Sequence, residues 1–212
     1  MSEQQIAQAL LETGAVGFSP HEPVTFKSGM LSPVYVDNRR LIAHPAQWHL
    51  VIEHLQALIA RESIGFNVIA GIEAAGIPHS SVLAYNLLVP SVFVRKAAKE
   101  HGQKRRIEGG DVTGKRVLLV EDMVTSGGSS LSGIAALRES GALVEDCLAI
   151  TSYGFEMSRV AFATARVRLH TLISFSVIAE EALRQGYFGQ EEMRVIEDWL
   201  QDPHGWSERQ PL

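Results

Sequence analysis

Residues 116–130 read Arg-Val-Leu-Leu-Val-Glu-Asp-Met-Val-Thr-Ser-Gly-Gly-Ser-Ser, and this stretch decides the fold. Residues 117–120 form a short, uninterrupted apolar run rich in β-branched side chains, which is typical of a strand covered on both faces. Two carboxylates stand where this strand should end. Residues 125–129 then form a turn into an apolar-periodic segment that ends near Gly141, so the stretch predicts strand, loop and helix. In parallel α/β sheets, ligands bind beyond the carboxyl ends of such strands.

Strand and helix patterns alternate along the rest of the chain. Further strands are predicted at 67–71, 91–94 and 142–150, with another candidate at 169–175. Helices are predicted at 3–13, 45–61, from after Pro78 to about residue 88, at 180–185 and at 191–200. The alternation predicts an α/β fold with a parallel β-sheet flanked by helices. Because no repeat or linker divides the 212 residues, we expect one domain spanning 1–212, with a break at 202–205 before a loose tail.

The turn after the central strand has the composition of a phosphate site. Its two glycines let the backbone approach an anion, its three hydroxyls add donors, and the following helix adds unpaired N–H groups and a positive dipole end. Glu121 and Asp122 would repel that phosphate, so they should face hydroxyl groups of the same ligand. A ribose 5-phosphate carries both groups at about this separation. The alternative is a plain Ser/Gly turn with a helix cap, and the acidic pair before it favours the ligand site.

A basic segment lies between two predicted strands. Residues 96–110 carry five Lys/Arg against two Glu, a local net charge of +3 in a chain of −5. A loop of about 12–15 residues without a periodic apolar face is long for a compact domain, so we expect it to be functional or mobile. The alternative is a solvated run of charge, to which some of residues 104–106 would belong.

Composition and motifs exclude several classes of protein. A net charge of −5 argues against a nucleic-acid-coating protein, and no helix-turn-helix segment is evident. No apolar run reaches the roughly 20 residues that span a bilayer, and the N-terminus lacks the features of a signal peptide. A nucleotide P-loop is rejected because Arg116 follows Gly114-Lys115 where Ser or Thr is needed. We therefore expect a cytoplasmic protein that binds neither nucleic acid nor membrane.

Four motifs together resemble the type I phosphoribosyltransferases and, among them, the orotate phosphoribosyltransferases. They are Phe26-Lys27-Ser28-Gly29 with Ser32-Pro33 and Tyr35; Ala70-Gly71 with Gly76-Ile77-Pro78; Arg95-Lys96 with Lys99 and His101; and the acidic pair with its turn. The resemblance covers roughly residues 20–200. It implies the type I phosphoribosyltransferase fold, with a small hood formed by the N-terminal and C-terminal segments. The implied reaction joins orotate to phosphoribosyl diphosphate (PRPP), giving orotidine 5′-monophosphate (OMP) and pyrophosphate, with Mg²⁺ held mainly by the diphosphate.

The resemblance also implies roles for individual residues. Those implied to bind PRPP are Lys27, Arg95, Lys96, Lys99, His101, Glu121, Asp122, Met123, Val124, Thr125, Ser126, Gly127, Gly128 and Ser129. Lys99, His101 and Asp122 are the implied catalytic residues, and Thr125 is also implied to contact orotate. A flexible catalytic loop at about 96–110 is implied to close over the site of the partner subunit in a homodimer.

Two alternatives stay open. A phosphoribosyltransferase for another base would share the central motif, although Lys27 and the Lys99–His101 segment favour orotate. A non-catalytic, PRPP-sensing regulator would need a nucleic-acid-binding surface, which the sequence does not indicate. Some family members place an Asp-Arg pair after the fifth strand, with the arginine on orotate's carboxylate. Here residues 151–155 contain no arginine and the next is Arg159, so the residue that holds this carboxylate is open.

Overall fold

The computed structural model describes residues 3–26, 29–97 and 106–210. The strands are β1 (Val16–Phe18), β2 (Val24–Thr25), β3 (Leu31–Ser32), β4 (Val34–Val36), β5 (Val68–Ile72), β6 (Ser91–Val94), β7 (Ile107–Glu108), β8 (Arg116–Val124), β9 (Leu143–Ser152) and β10 (Arg168–Ser174). The helices are α1 (Glu3–Glu12), α2 (Pro45–Arg61), α3 (Gly76–Leu87), α4 (Gly128–Glu139), α5 (Glu156–Thr164), α6 (Phe175–Arg184), α7 (Gln190–Gln201) and α8 (Pro203–Glu208), with a 3₁₀ helix at Asn38–Ala43. Across these ranges, no helix has both the length and the apolar character needed to cross a bilayer.

Six strands form the main sheet in the order β10-β9-β8-β5-β6-β7. All neighbouring pairs are parallel except β6 and β7, which pair antiparallel at one edge. The predicted parallel α/β sheet is therefore confirmed, and β8 lies inside it between β5 and β9. This position places the carboxyl end of β8 in the middle of the edge where ligands bind in such folds.

The central strand is buried on both faces, as its apolar run predicts. Leu118 and Val120 pack into a core with α1, α2, α6 and α7, whereas Val117 and Leu119 pack on the opposite side with α4 and α5. Because successive side chains of a strand point to opposite faces, a strand between two layers needs apolar residues without interruption. Glu121, directly after Val120, is the polar residue that ends this apolar run.

The N-terminal and C-terminal segments pack on each other beside the sheet. The indole N–H of Trp199 in α7 donates to the carbonyl of Leu31 in β3 at 3.1 Å, and the backbone N–H of Leu31 donates to Ser207 Oγ in α8 at 2.9 Å. Trp199 and Trp206 are both buried. These contacts form the hood that was predicted from the terminal segments.

Several boundaries differ from the prediction. Strand β8 does not end at residue 120 but runs to Val124, because Met123 pairs with Thr151 and Val124 with Ser152 of β9. Residues 128 and 129 belong to α4 and not to the turn. Part of the predicted 96–110 loop is strand β7.

The predicted loose tail was wrong. Residues Pro203–Glu208 form α8, since the Asp202 carboxylate accepts the N–H of Gly205 and Pro203 occupies the first turn. The Asp-Pro pair that suggested a break is thus a helix start.

Candidate active site

Glu121 and Asp122 lie in the last part of β8, where it still pairs with β9. Glu121 is only 5% exposed, and its Oε2 accepts a hydrogen bond from Ser130 Oγ of α4 at 3.3 Å. Its Oε1 accepts the backbone N–H of Asp122 at 3.3 Å. Asp122 is partly exposed. One carboxyl is therefore held from behind by α4, while its neighbour faces the open end of the sheet.

Burial changes the charge of this pair. Loss of solvent raises the pKa of Glu121 to about 8, and the adjacent Asp122 charge adds to the rise. Burial also raises the pKa of Asp122, while hydrogen bonds from Glu121 and the backbone and the charge of Arg39 oppose that rise. Burial therefore favours the protonated form of Glu121 in the ligand-free protein at neutral pH. A carboxylic acid beside a carboxylate can both donate to and accept from a pair of hydroxyls.

We expect this pair to make stability depend on pH. Folded Glu121 keeps its proton to about pH 8, whereas the unfolded chain loses it near the ordinary value of 4.5. Between these values unfolding releases a proton, so the free energy of unfolding should fall as pH rises, by at most about 1.4 kcal/mol per pH unit for this group. Glu121→Gln should flatten that dependence in urea titrations between pH 5 and 8. Glu139→Gln, which changes an exposed carboxyl, is the control. If the free energy of unfolding of Glu121→Gln depends on pH as steeply as that of the wild type, the raised pKa of Glu121 is contradicted.

The turn after β8 is shaped by a glycine. Gly127 is the N-cap of α4 with φ +85°, and a Cβ on it would lie 2.8 Å from the ring of Phe162 in α5. Both the left-handed backbone and this close approach require glycine. Ser126, Gly128 and Ser129 are exposed around it. The first-turn N–H groups of α4 have no partner within the helix, so the turn is a concave set of donors suited to a phosphate.

A cavity of about 230 Å³ lies next to this turn. Its lining comprises Ile72, Val94, Arg95, Lys96, Arg106, Ser129 and Ser132. The structure therefore brings the predicted cations Arg95 and Lys96 together with the first turn of α4. Three positive side chains around two serine hydroxyls make a surface that attracts polyanions.

The cavity wall is braced by hydrogen bonds that the sequence did not reveal. Arg106 donates from Nε to the carbonyl of Arg95 at 2.8 Å, and from Nη1 to both the carbonyl and the hydroxyl of Ser132 at 3.1 Å. Glu73 Oε2 accepts the backbone N–H of Lys96 at 2.9 Å. Arg106 therefore joins the segment of Arg95 and Lys96 to α4, so it is not one of the solvated charges that the alternative allowed among residues 104–106.

The turn from β5 to α3 packs directly against the central strand. A Cβ on Gly76 would lie 2.6 Å from the carbonyl oxygen of Val120 and 3.5 Å from the Cα of Glu121. Only glycine allows α3 to begin this close to β8. The predicted glycine motif therefore fixes the backbone immediately before the acidic pair.

The hood supplies further residues that sequence reasoning missed. Asn38 is fully buried and donates from Nδ2 to the carbonyl of Asp122 at 2.7 Å and to Thr151 Oγ1 at 2.6 Å. Asp37 and Arg39, on either side of it, form an ion pair. The available signal was a polar triplet directly after the short strand β4, which places polar side chains at a strand end.

Comparisons with known proteins agree with this geometry. The family model described as the phosphoribosyl transferase domain matches residues 40–152. An orotate phosphoribosyltransferase of Coxiella burnetii is 39% identical over 203 residues, which cover 96% of this chain and 97% of that protein. The chain belongs to the orotate phosphoribosyltransferase family.

Comparison with solved structures also shows which fold this chain has. The orotate phosphoribosyltransferase of Aeropyrum pernix superposes with a TM-score of 0.75 at 29% identity, covering 87% of this chain and 99% of that one. The UMP synthase of Leishmania donovani gives a TM-score of 0.82 at 23% identity, covering 94% of this chain but 42% of that one. The second likeness shows the fold alone. The predicted type I phosphoribosyltransferase fold is confirmed.

In this chain, aromatic packing occupies the segment after β9, which contains no arginine before Arg159. Tyr153 is buried, stacks on Phe155 with ring centroids 5.3 Å apart, and meets Trp199 edge-on at 4.8 Å. Arg159 lies further along, on α5, where it pairs with Glu156 in the same helix. The residues after β9 thus attach α7 to the sheet.

Some predicted site residues cannot be placed. Lys27, Lys99 and His101 lie outside the described residues, as does most of the flexible loop predicted at 96–110. Their roles stay predictions. Met123, Val124 and Thr125 are described, and they continue from the acidic pair into the phosphate turn.

Proposed function

We propose that this enzyme transfers the phosphoribosyl group of PRPP to orotate, giving OMP and pyrophosphate. The observation that carries the proposal is the acidic pair followed by the hydroxyl-glycine turn at the carboxyl end of β8, in a chain of the orotate phosphoribosyltransferase family. One ligand that satisfies both features is a ribose 5-phosphate. PRPP has that group and a leaving diphosphate.

Each part of the site has a role in this reaction. The carboxyls of Glu121 and Asp122 bond the ribose hydroxyls, and the N–H and hydroxyl donors of residues 125–129 hold the 5-phosphate. As the bond from C1 to the diphosphate oxygen breaks, positive charge develops on the ribose and negative charge on the pyrophosphate. Arg95 and Lys96, in the cavity beside the phosphate turn, stabilise the departing anion. N1 of orotate bonds to C1 and loses its proton to water or to the departing pyrophosphate. Because this ring nitrogen is already acidic, a strong protein base is not required.

A divalent metal, which we propose to be Mg²⁺, fits this site as a partner of the substrate. Within ranges 3–26, 29–97 and 106–210, no group of three or more His, Cys, Asp or Glu side chains is arranged to hold a metal ion. Mg²⁺ commonly binds one or two carboxylates together with substrate phosphates, so the diphosphate would supply most ligands and Asp122 is the available carboxylate. When bound, the ion neutralises charge on the leaving diphosphate.

The function is tested by mixing the purified protein with PRPP, Mg²⁺ and single bases. Orotate should be consumed, as measured by its ultraviolet absorbance, in preference to uracil, adenine, hypoxanthine or guanine. Turnover of a purine without loss of orotate would assign the protein to the alternative, another-base phosphoribosyltransferase. PRPP binding without turnover of any base would favour the PRPP-sensing regulator.

We further propose a homodimer in which the loop at 96–110 serves the partner's site. Lys99→Ala and Asp122→Asn should each be nearly inactive alone. If Lys99 acts in trans, an equimolar mixture that is denatured and refolded contains half mixed dimers, each with one intact site. Recovery should then approach roughly a quarter of wild-type activity for a two-fold dimer.

The same mixture also tests the alternative arrangement, in which Lys99 acts on the site of its own subunit. If Lys99 acts within its own subunit, every site in the mixture carries one defect. Activity would then stay at the level of the single variants, which would contradict the shared site.

A single domain over 1–212 and a cytoplasmic location stay predictions.

A further inference from the structure

Orotate differs from uracil by one carboxylate, at the ring carbon next to the nitrogen that bonds to the ribose. A cation that recognises orotate must therefore lie near the ribose, on the base side of the acidic pair. Aromatic packing fills the position after β9 that carries an arginine in some relatives. The search for a cation that binds this carboxylate rests on the proposed function. The candidate lies in the hood.

The hood segment after β4 is fixed against the central strand. The side-chain amide of Asn38 bonds both the carbonyl of Asp122 and the hydroxyl of Thr151, so it joins this segment to the ends of β8 and β9. Both distances are below 2.8 Å and all three groups are buried or partly buried. The residue that follows Asn38 therefore begins beside the acidic pair in a defined position.

That residue, Arg39, is oriented by a carboxylate on one side only. Its Nε donates to Asp37 Oδ1 at 2.5 Å and its Nη2 to Asp37 Oδ2 at 2.8 Å. Arginine has five N–H donors, so the two donors of Nη1 remain for a second carboxylate, beside the Nη2 donor that reaches the Tyr35 hydroxyl. Among the described residues, no acceptor lies against Nη1, and the side chain is 56% exposed.

The charge of Arg39 reaches the acidic pair. It lowers the pKa of Asp122, against the effect of burial, and the Asp122 charge in turn contributes to the raised pKa of Arg39, which Asp37 dominates. Its Nη2 also lies 3.5 Å from the hydroxyl of Tyr35, and this exposed ring belongs to β4. The guanidinium is therefore close enough to Asp122 for their charges to interact, and its two bonds to Asp37 show a geometry that suits a planar carboxylate.

Two other described arginines, Arg40 and Arg159, make their contacts elsewhere. The guanidinium of Arg40 packs over Gly14, where a Cβ would lie 3.3 Å from Cζ. Arg159 pairs with Glu156 and lines a separate cavity of about 590 Å³ between α5 and β10. Neither interacts with Asp122 in the way that Arg39 does.

We propose that Arg39, held by Asp37, binds the carboxylate of orotate and so sets the specificity for this base. The Asp-Arg pair that some relatives place after the fifth strand is replaced here by an Asp-x-Arg pair after β4. Tyr35 and Asp37 fix the orientation of the guanidinium, and Asn38 fixes its distance from the ribose site.

The test compares two nucleotides, the proposed product OMP and its analogue without the carboxylate. The dissociation constants of OMP and uridine 5′-monophosphate (UMP) are measured by calorimetry for the wild type, Arg39→Gln, Arg39→Lys and the matched control Arg40→Gln. Arg39→Gln should weaken OMP binding about ten- to hundredfold, the effect of losing charge-assisted hydrogen bonds, and leave UMP binding within about twofold. Arg39→Lys should lie between, because it keeps the charge and loses the planar fork. Arg40→Gln should bind both nucleotides as the wild type does.

Two results would overturn the proposal. Equal loss of OMP and UMP affinity in Arg39→Gln would mean that Arg39 acts on the ribose or on Asp122. Unchanged preference for OMP in that variant would place the carboxylate on another cation. In both cases orotate turnover by the wild type would leave the proposed function intact, whereas a wild type that neither consumes orotate nor prefers OMP would overturn both proposals.

Discussion

Asp122→Asn should lower kcat/KM for PRPP by about a hundredfold or more while leaving the protein at least as stable as the wild type. Hydrogen bonds to a charged acceptor contribute about 1.5–3 kcal/mol each, and two ribose hydroxyls are available to this pair. Asp122 is partly exposed, and its backbone contact with Asn38 does not depend on the carboxylate. Because burial disfavours the charged form of Asp122, a neutral amide at this position removes that cost.

Steady-state kinetics with varied PRPP and a urea titration measure the two effects separately. Glu139→Gln, an exposed carboxylate at the end of α4, serves as the control that should change neither. Wild-type kcat and KM for PRPP in Asp122→Asn would contradict the ribose assignment. A variant that is inactive because it unfolds would contradict the statement that this residue serves the ligand and not the fold.

Gly76→Ala should both destabilise the protein and inactivate it. The new methyl would meet the carbonyl oxygen of Val120 at 2.6 Å, closer than any Cβ can approach, and both atoms belong to rigid elements. Either α3 or β8 must move, and inserting a methyl into packed structure costs about 1–3 kcal/mol. Because Glu121 follows Val120, the displacement reaches the acidic pair, and we expect kcat/KM to fall more than tenfold.

The matched control is Gly17→Ala, since a Cβ on Gly17 has no atom within 4 Å. Chemical denaturation and kinetics on both variants separate the loss of packing space from the general effect of replacing glycine. Equal stability and activity for the two variants would show that α3 and β8 are not in the close contact described.

The sequence predicted the parts of the fold that depend on local pattern. The apolar run at 117–120 indicated a strand buried on both faces, and the helical spacing at 45–61 matches α2. It could not predict that β8 continues through two carboxylates to Val124, because hydrogen bonds from β9 decide that extension. Nor could it predict α8, whose start resembles a chain break until Asp202 is seen to accept the N–H of Gly205.

The same division holds for the candidate site. The acidic pair and the phosphate turn are contiguous in the chain, so their composition was readable. Asn38 and Arg106 act through contacts made across 84 and 26 residues of sequence, to Asp122 and Ser132. Such contacts follow from the packing of the hood and of β7, and no single-sequence pattern encodes them.

The most direct measurement is a crystal structure of the protein with PRPP bound. We expect the 5-phosphate within hydrogen-bond distance of the N–H groups of residues 126–129. The site assignment also requires the ribose hydroxyls within about 3.2 Å of the carboxyl oxygens of Glu121 and Asp122. PRPP bound elsewhere, for example in the cavity between α5 and β10, with no ligand atom in contact with Asp122, would contradict it.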